Sequence, residues 1–309
     1  MPLSMEVNTM NKRKQALWGF IIGDAYGVPM EFMERDTFNV HDMIGYGCWD
    51  VPAGTWSDDS AMTLITIEHL IADTSLADLK KAFCDWAYRG YWTYNDEPSF
   101  DVGLTISEVL NRWEKNGPFE QAKNDVNSNG NGALMRILPI ALYSYKRSIE
   151  ERYVNDYATL THGHIRSTLC CMHYTYVVHH LLDGLSMAQS LEQANQQLLP
   201  FFKDYPNEKP HFERIYSIQQ LTRDEINSNG YVIHTLEAVY WSMLNSSSYY
   251  DTIFNAVHLG SDTDTVAAIA GGLAGIYYDE LNIPEDWMEL IPKREAINTL
   301  LDRFVKVIF

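Results

Sequence analysis

Hydrophobic residues recur along this chain at the three- and four-residue spacing of amphipathic α-helices. Gly23, Gly27 and Pro29 interrupt the first such run, so the first helix is predicted to end among them. Ser75 stands at an N-cap position, and Asn116-Gly117 marks the end of a later helix. Further helices are predicted over 60–73, 75–92, 100–116, 133–145, 168–184, 230–244, 250–260 and 265–278.

No stretch alternates polar and apolar residues as a half-buried strand would, and no hairpin dipeptide separates two strand-like runs. Residues 265–278 are apolar but too short for a membrane span, and their many small side chains predict a buried helix packed closely on its neighbours. We therefore expect an all-α fold. It comprises a flexible polar segment at 1–12 and a single compact helical domain at 13–309.

The 309 residues include 23 Lys and Arg against 41 Asp and Glu, a formal net charge of -18. Such an acidic surface repels phosphate backbones, which argues against general nucleic-acid binding. The sequence has neither a signal peptide nor a long uncharged apolar run, so no membrane association is expected. The absence of CxxC pairing indicates reduced cysteines in a cytoplasmic protein, and these are Cys48, Cys84, Cys170 and Cys171.

Two predicted helix starts concentrate acidic and hydroxyl residues, Ser-Asp-Asp-Ser at 57–60 and Ser-Asp-Thr-Asp-Thr at 261–265. Carboxylates this close repel one another, and near a core they are unfavourable unless a cation binds them. Their oxygens suit Mg²⁺, Mn²⁺ or Ca²⁺, whereas zinc favours Cys and His. Ordinary N-capping explains either stretch alone. Their paired occurrence favours a metal site, provided that the two stretches meet in the fold.

The sequence "SNGNG" at 128–132 has glycines that let backbone N–H groups approach a ligand, and such loops bind phosphate. A plain loop that caps the next helix is the alternative. Arg136 pairs either with a phosphate or with an internal carboxylate. His162 and His164 have metal-like spacing, but such a pair more often packs and hydrogen-bonds locally.

In chain order, these motifs resemble those of the ADP-ribosylglycohydrolases. "GFIIGDAYGVPMEF" is similar to the first helix of that family, and "GTWSDDSAM" is similar to its Trp-Thr-Asp-Asp-Thr motif. Later matches are "FDVGLT", "NGNGALMRILPIAL", "LTHGH", "SNGYVIHTLEA" and "GSDTDTVAAIAGGLAG". The resemblance covers nearly the whole chain, and "HDMIGYG" and "FDVG" lean toward the arginine-type bacterial branch.

The resemblance implies an all-α bundle with a cleft that binds two divalent cations, Mg²⁺ or Mn²⁺. The implied metal ligands are Ser57, Asp58, Asp59, Asp262, Asp264 and Thr265. Glu31 is implied to lie at or beside the metals. Ser57 and Ser60 stand where the family usually has Thr, so the hydroxyl is kept but the tighter rotamer control of a β-branched side chain is lost.

The same resemblance implies a second set of residues around the substrate. The implied substrate-binding residues are Glu31, Asn131, Gly132, Met135, His162 and Tyr231. The glycine loop would contact the diphosphate of ADP-ribose, His162 would donate a hydrogen bond, and Tyr231 would stack on adenine or close over the ribose. Asp101 either lies near the scissile bond or simply caps the helix that follows it.

The implied reaction is hydrolysis of the N-glycosidic bond between ADP-ribose and an arginine side chain of a modified protein. Cleavage builds positive charge at the anomeric carbon, as in other glycosidases. The candidates for acid/base work are Glu31, Asp59 and Asp101.

Several alternatives stay open at this point. The ADP-ribose could instead be linked to serine, to a nucleic acid or in a free derivative. The protein could also be an immunity protein that neutralises an ADP-ribosyltransferase toxin by binding as well as by hydrolysis. A purely structural helical protein would show no change of melting temperature with Mg²⁺ or Mn²⁺.

Overall fold

Helix α1, Leu3–Gly27, ends where the predicted glycine and proline stop it, because Pro29 cannot continue an α-helix. The computed structural model describes residues 3–118, 121–147 and 151–308. The following α-helices are α2 Asp58–Ala72, α3 Leu76–Arg89, α4 Leu104–Asn116, α5 Leu138–Ser144, α6 Glu151–Ala158, α7 Ile165–Leu182, α8 Met187–Leu198, α9 Glu213–Tyr216, α10 Val232–Leu244, α11 Tyr249–Val257, α12 Thr263–Tyr277, α13 Glu285–Leu290 and α14 Arg294–Val307. Short 3₁₀ helices lie at Val28–Met30, Leu199–Lys203, Lys209–Phe212, Ile218–Gln220 and Arg223–Glu225.

The predicted all-α fold is confirmed, since no strand forms in these described ranges and an isolated β-bridge joins Gly130 to Tyr231. Ser75 caps α3 as predicted, and Asp78 completes a capping box by accepting from its N–H. Helix α4 ends at Asn116. Helices α6, α8, α9, α13 and α14 are absent from the prediction. The signal for α14 was present, because its buried residues recur at helical spacing: Ile297, Leu300, Leu301, Phe304 and Val305.

Glycines allow α1 and α12 to pack with their backbones in contact. A Cβ atom on Gly23 would lie 2.2 Å from the carbonyl oxygen of Ala267, and one on Gly271 would lie 2.3 Å from that of Gly19. Nearly all of α12 is buried, which confirms the predicted close packing of its small residues. The start of α12 is therefore held directly against the C-terminal end of α1.

The predicted boundary between residues 12 and 13 falls inside α1 rather than at a break in secondary structure. The predicted flexibility of 1–12 stays a prediction, because residues 1 and 2 lie outside the described residues. All four cysteines are free, as the sequence indicates. Across the described ranges, no helix has the length and hydropathy needed to cross a bilayer.

Candidate active site

The first acidic stretch begins α2 and is anchored by Asp24 of α1. Asp24 Oδ1 accepts a hydrogen bond from the Ser57 N–H at 3.0 Å. Its Oδ2 accepts from the Ser60 N–H at 2.9 Å and from the Ser60 hydroxyl at 2.5 Å. Ser57 also caps α2 by accepting from the Asp59 N–H at 3.3 Å, so capping explains part of this stretch. Asp24 was missed as a site residue, although an aspartate inside an apolar helix was a usable signal.

The second acidic stretch begins α12 and touches the first. Asp262 occupies the N-cap position of α12, and its Oδ2 accepts from Asn131 Nδ2 at 2.7 Å across the cleft. Thr265 Oγ1 donates to Asp59 Oδ2 at 3.0 Å. This hydrogen bond joins the two stretches directly, so the condition on which the metal prediction depends is met.

Glu31 and Asp101 extend the acidic cluster from two other loops. One carboxylate oxygen of each lies within 4.8 Å of the other and of an oxygen of Asp264. Glu31 follows the 3₁₀ turn after α1, and its Oε2 accepts a hydrogen bond from Trp49 Nε1. The N–H of the next residue donates to Ser261 O at 2.6 Å, which ties this segment to the start of α12.

Burial raises the pKa values of the clustered carboxyl groups. Burial first, and then the charge of Asp101, raise the pKa of Glu31 to about 9. Burial and then the charge of Asp262 raise the pKa of Asp101 to about 7. Burial is also the largest cause of the strongly raised pKa values of Asp58, Asp59 and Asp264. The cluster is therefore favourable only when protons or cations neutralise its charge.

Two oxygens of the cluster, Asp59 Oδ1 and Asp264 Oδ1, are buried and have no hydrogen-bond partner in the described part of the chain. An unpartnered, buried carboxylate oxygen is unfavourable unless an ion or water binds it. The neighbouring groups are carboxylates and hydroxyls, the hard oxygen ligands of Mg²⁺ and Mn²⁺. The residues present thus fit divalent cations.

The glycine loop lies opposite the acidic cluster and is fastened to the segment before α10. The Asn131 N–H donates to Gly230 O at 3.0 Å. The Asn131 side-chain amide donates to Thr235 Oγ1 at 3.0 Å as well as to Asp262. A Cβ atom on Gly132 would lie 2.7 Å from Ile106 Cδ1 and 2.9 Å from His162 Cε1, so a larger residue would require these side chains to move. The loop is therefore fixed in position by its hydrogen bonds, and Gly132 leaves space for the side chains beside it.

Tyr231 stands beside this loop and is supported by a buried ion pair. Its hydroxyl accepts from Arg166 Nη1 at 3.1 Å, and Arg166 Nε donates to Glu208 Oε2 at 2.7 Å. His164 caps α7 by accepting from the Arg166 N–H at 3.3 Å. The local hydrogen-bonding interpretation of the two histidines therefore holds for His164.

Arg136 has neither of the two partners that the sequence suggested for it. It is fully buried, and its Nη2 donates to Tyr157 O at 3.0 Å and to Thr161 Oγ1 at 2.9 Å. No carboxylate pairs with it among the described residues, and it does not line the cavity described next. Both expected partners, a phosphate and an internal carboxylate, are therefore wrong.

A cavity of about 820 Å³ lies between the acidic cluster and the glycine loop, within the size range of small-molecule sites. All six residues predicted to bind substrate line it: Glu31, Asn131, Gly132, Met135, His162 and Tyr231. Asp101 also lines it, as do the predicted ligands Asp58, Asp262 and Thr265. The other three predicted ligands, Ser57, Asp59 and Asp264, are not among its lining residues. Trp49 and Phe100 line it and were missed, because aromatic loop residues carry no distinctive spacing.

The sequence model of the ADP-ribosylglycohydrolase family matches residues 5–309. The chain belongs to the ADP-ribosylglycohydrolase family. This confirms the predicted family and the predicted class of enzyme, a hydrolase of glycosidic bonds. The acidic cluster and the glycine loop are thus parts of one site in a member of this family.

Named relatives cover most of the chain. ADP-ribosylarginine hydrolase Tri1 of Pseudomonas putida is 31% identical over 295 residues, covering 94% of this chain and 77% of the relative. Tri1 of Serratia proteamaculans is 30% identical, with coverages of 96% and 80%. ADP-ribosyl-[dinitrogen reductase] glycohydrolase of Rhodospirillum rubrum is 30% identical, with coverages of 88% and 87%. A solved ADP-ribosylglycohydrolase-related protein complex superimposes with a TM-score of 0.79 at 25% identity, covering 98% of this chain and 99% of that one.

Proposed function

We propose that this enzyme hydrolyses the N-glycosidic bond between ADP-ribose and an arginine side chain of a modified protein. The observation that carries the proposal is one cavity with an acidic cluster on one side and a glycine loop, His162 and Tyr231 on the other. Two relatives at 30% and 31% identity are named ADP-ribosylarginine hydrolases, which supports arginine as the acceptor.

The buried, unpartnered oxygens of Asp59 and Asp264 support a site for two divalent cations, Mg²⁺ or Mn²⁺. The residues that would hold them are Ser57, Asp58, Asp59, Asp262, Asp264 and Thr265. When bound, such cations supply positive charge that orients ribose hydroxyls and lowers the pKa of nearby water.

Glu31 and Asp101 are the acid/base residues in this proposal, because both line the cavity. The oxygen of water bonds to the anomeric carbon, and the electrons of the broken carbon–nitrogen bond pass to the leaving guanidine. A carboxylate accepts the proton that the water loses and returns it to that guanidine. Trp49 holds Glu31 in place. Asp59 is fully buried and bonded to Thr265, so we assign it to the metal ligands alone.

The opposite side of the cavity suits the nucleotide. The glycine loop leaves room for a diphosphate, and Tyr231 offers a ring on which adenine stacks. Asn131 links the two sides, because its amide is bonded to Asp262.

The test measures ADP-ribose release from arginine-, serine- and nucleic-acid-linked substrates in parallel, with and without a chelator. We expect release from the arginine substrate, loss of that release in chelator, and recovery with Mg²⁺ or Mn²⁺. Release from the serine or nucleic-acid substrate alone would contradict the acceptor assignment. Full activity in chelator would contradict the cation site.

Two finer proposals concern the setting of the enzyme. Four free cysteines support work in a reducing compartment such as the cytoplasm.

A second role, as the binding partner of an ADP-ribosyltransferase toxin, is tested with Asp264→Ala in cells that express the toxin. Protection that survives the loss of hydrolysis would favour binding, and loss of protection would leave hydrolysis as the sole means.

A further inference from the structure

The buried guanidinium of Arg136 lies behind the glycine loop and contacts the residue before His162. Its Nη2 donates to Thr161 Oγ1 at 2.9 Å, and its Nε and Nη1 have no hydrogen-bond partner in the described part of the chain. The guanidinium carbon lies 5.3 Å from the centre of the Phe83 ring. A buried cation with so few partners is unfavourable for stability alone, which points to another role.

The hydrogen bonds around Thr161 determine which way each proton points. Arginine has no acceptor, so Thr161 Oγ1 must accept from Arg136. The remaining neighbour of this hydroxyl is His162 Nδ1, at 2.9 Å. Both residues are buried. If His162 Nδ1 also donated to the Thr161 hydroxyl, the hydroxyl proton would have no acceptor. The satisfied arrangement has Thr161 donating to Nδ1, so the imidazole proton is on Nε2.

The Nε2 edge of His162 faces the glycine loop. A Cβ atom on Gly130 would lie 3.3 Å from His162 Nε2, and one on Gly132 would lie 2.9 Å from its Cε1. No described residue forms a hydrogen bond with Nε2, although His162 lines the cavity. The two glycines thus leave this edge open to a ligand.

We propose that Arg136 and Thr161 are positioning residues that hold His162 as a neutral Nε2–H donor aimed at an anionic phosphate oxygen of the bound nucleotide. The nature of the ligand rests on the proposed function, whereas the position of the proton does not. Arg136 acts through Thr161, because its charge opposes a second proton on the imidazole and its hydrogen bond orients the hydroxyl. A pyrophosphate oxygen accepts from Nε2 without competing for a proton.

The first experiment records long-range ¹H–¹⁵N spectra of the histidine side chains in the ligand-free protein at neutral pH. We expect His162 in the Nε2–H form in the wild type and in Thr161→Ser, and a shift toward the Nδ1–H form in Thr161→Val. The Nδ1–H form in the wild type would overturn the proposal, as would an unchanged tautomer in Thr161→Val. If Thr161→Val does not fold, the wild-type spectrum still tests whether the proton of His162 is on Nε2.

The second experiment measures ADP-ribose binding by calorimetry. Thr161→Val should bind about tenfold more weakly, the loss expected for one hydrogen bond to a charged group, whereas Thr161→Ser should stay within about twofold. His162→Gln, which offers an N–H near the Nε2 position, should bind more tightly than His162→Ala. Wild-type affinity in Thr161→Val would overturn the proposal. Failure of the wild type to bind ADP-ribose would refute the proposed function. The tautomer spectra would still test whether Thr161 holds His162 in the Nε2–H form.

Discussion

The two sides of the cavity treat their polar groups in opposite ways. On the acidic side, burial raises the pKa values of the carboxyl groups, and Asp59 Oδ1 and Asp264 Oδ1 lack partners. On the loop side, protein groups already engage the Asn131 amide and the Tyr231 hydroxyl, and the atoms left without a described partner, Asn129 Oδ1 and His162 Nε2, belong to uncharged groups. The acidic side therefore needs added positive charge, whereas the loop side is formed in advance. The comparison separates an acidic side that fits cations from a loop side whose position is set by hydrogen bonds within the protein.

The largest expected effect comes from Asp264→Asn, which removes one charge from the acidic side without changing its size. We expect activity toward ADP-ribosyl-arginine to fall by more than about 100-fold, the upper range for residues that only support a metal site. The matched control is Asp279→Asn, whose carboxylate is 98% exposed, and it should keep full activity. Steady-state rates of both variants at saturating Mg²⁺ make the test. Comparable rates in the two variants would remove Asp264 from the metal site.

Divalent cations should stabilise the wild type. A ligand present at about 100 times its Kd stabilises the native state by about 2.7 kcal/mol, which corresponds to a rise of several degrees in Tm. Melting curves with Mg²⁺, Mn²⁺ and chelator measure the effect, and Asp264→Asn should show little of it. A wild-type Tm that is the same in chelator and in Mn²⁺ would favour a purely structural acidic cluster.

Stability in chelator should fall as pH rises. The pKa of Glu31 is raised from 4.5 to about 9, so the folded state holds a proton that the unfolded chain has released. This group's contribution to stability is complete below about pH 4.5 and is lost as pH rises toward 9. The contribution of His162 to stability changes with pH in the opposite direction, because burial lowers its pKa from 6.5 to about 3. That contribution grows as pH rises toward 6.5 and changes little at higher pH.

Urea unfolding in chelator from pH 6.5 to about 8 therefore reports on the acidic side, because the raised pKa values of the cysteines affect stability only nearer pH 9. Glu31→Gln should flatten the decline, while Glu34→Gln, which alters an exposed carboxylate, should not. Saturating Mg²⁺ should also flatten it, because the cations replace the protons. Stability that rises over this range would contradict the raised pKa values.

The smallest expected effect is on the loop side. Tyr231→Leu should raise KM for the ADP-ribosylated substrate about tenfold, because stacking of a base on an aromatic ring contributes about 1–3 kcal/mol. Tyr231→Phe keeps the ring and should stay near the wild type, since only the contact with Arg166 is lost. The kcat of both variants should change little. A larger loss in Tyr231→Phe than in Tyr231→Leu would assign the function to the hydroxyl.

Much of the fold and the site was predictable from local sequence. Helical periodicity, the stop at Gly27 and the N-cap at Ser75 are local features, and the structure confirms them. The six substrate-binding residues implied by the resemblance to the family line one cavity, which local sequence alone does not show. Their individual roles stay predictions.

The rest depended on contacts between distant residues. No local pattern shows that Thr265 bonds to Asp59, or that Asp24 binds the N–H groups of Ser57 and Ser60. Arg136 was misjudged for the same reason, since only the fold shows that it is enclosed with Thr161 instead of an anion. Charge and spacing suggest partners, but burial decides which of them are within reach.

The bare contact between α1 and α12 has a consequence for how the enzyme tolerates change. Gly23 directly precedes Asp24 in α1. The residue that Gly23 contacts in α12 is Ala267, which lies one turn beyond Asp264. A single methyl group added at position 23 would push α1 and α12 apart and so move Asp24 and Asp264 away from each other. The most fragile positions in an alanine scan of this protein should therefore include residues that possess no side chain at all.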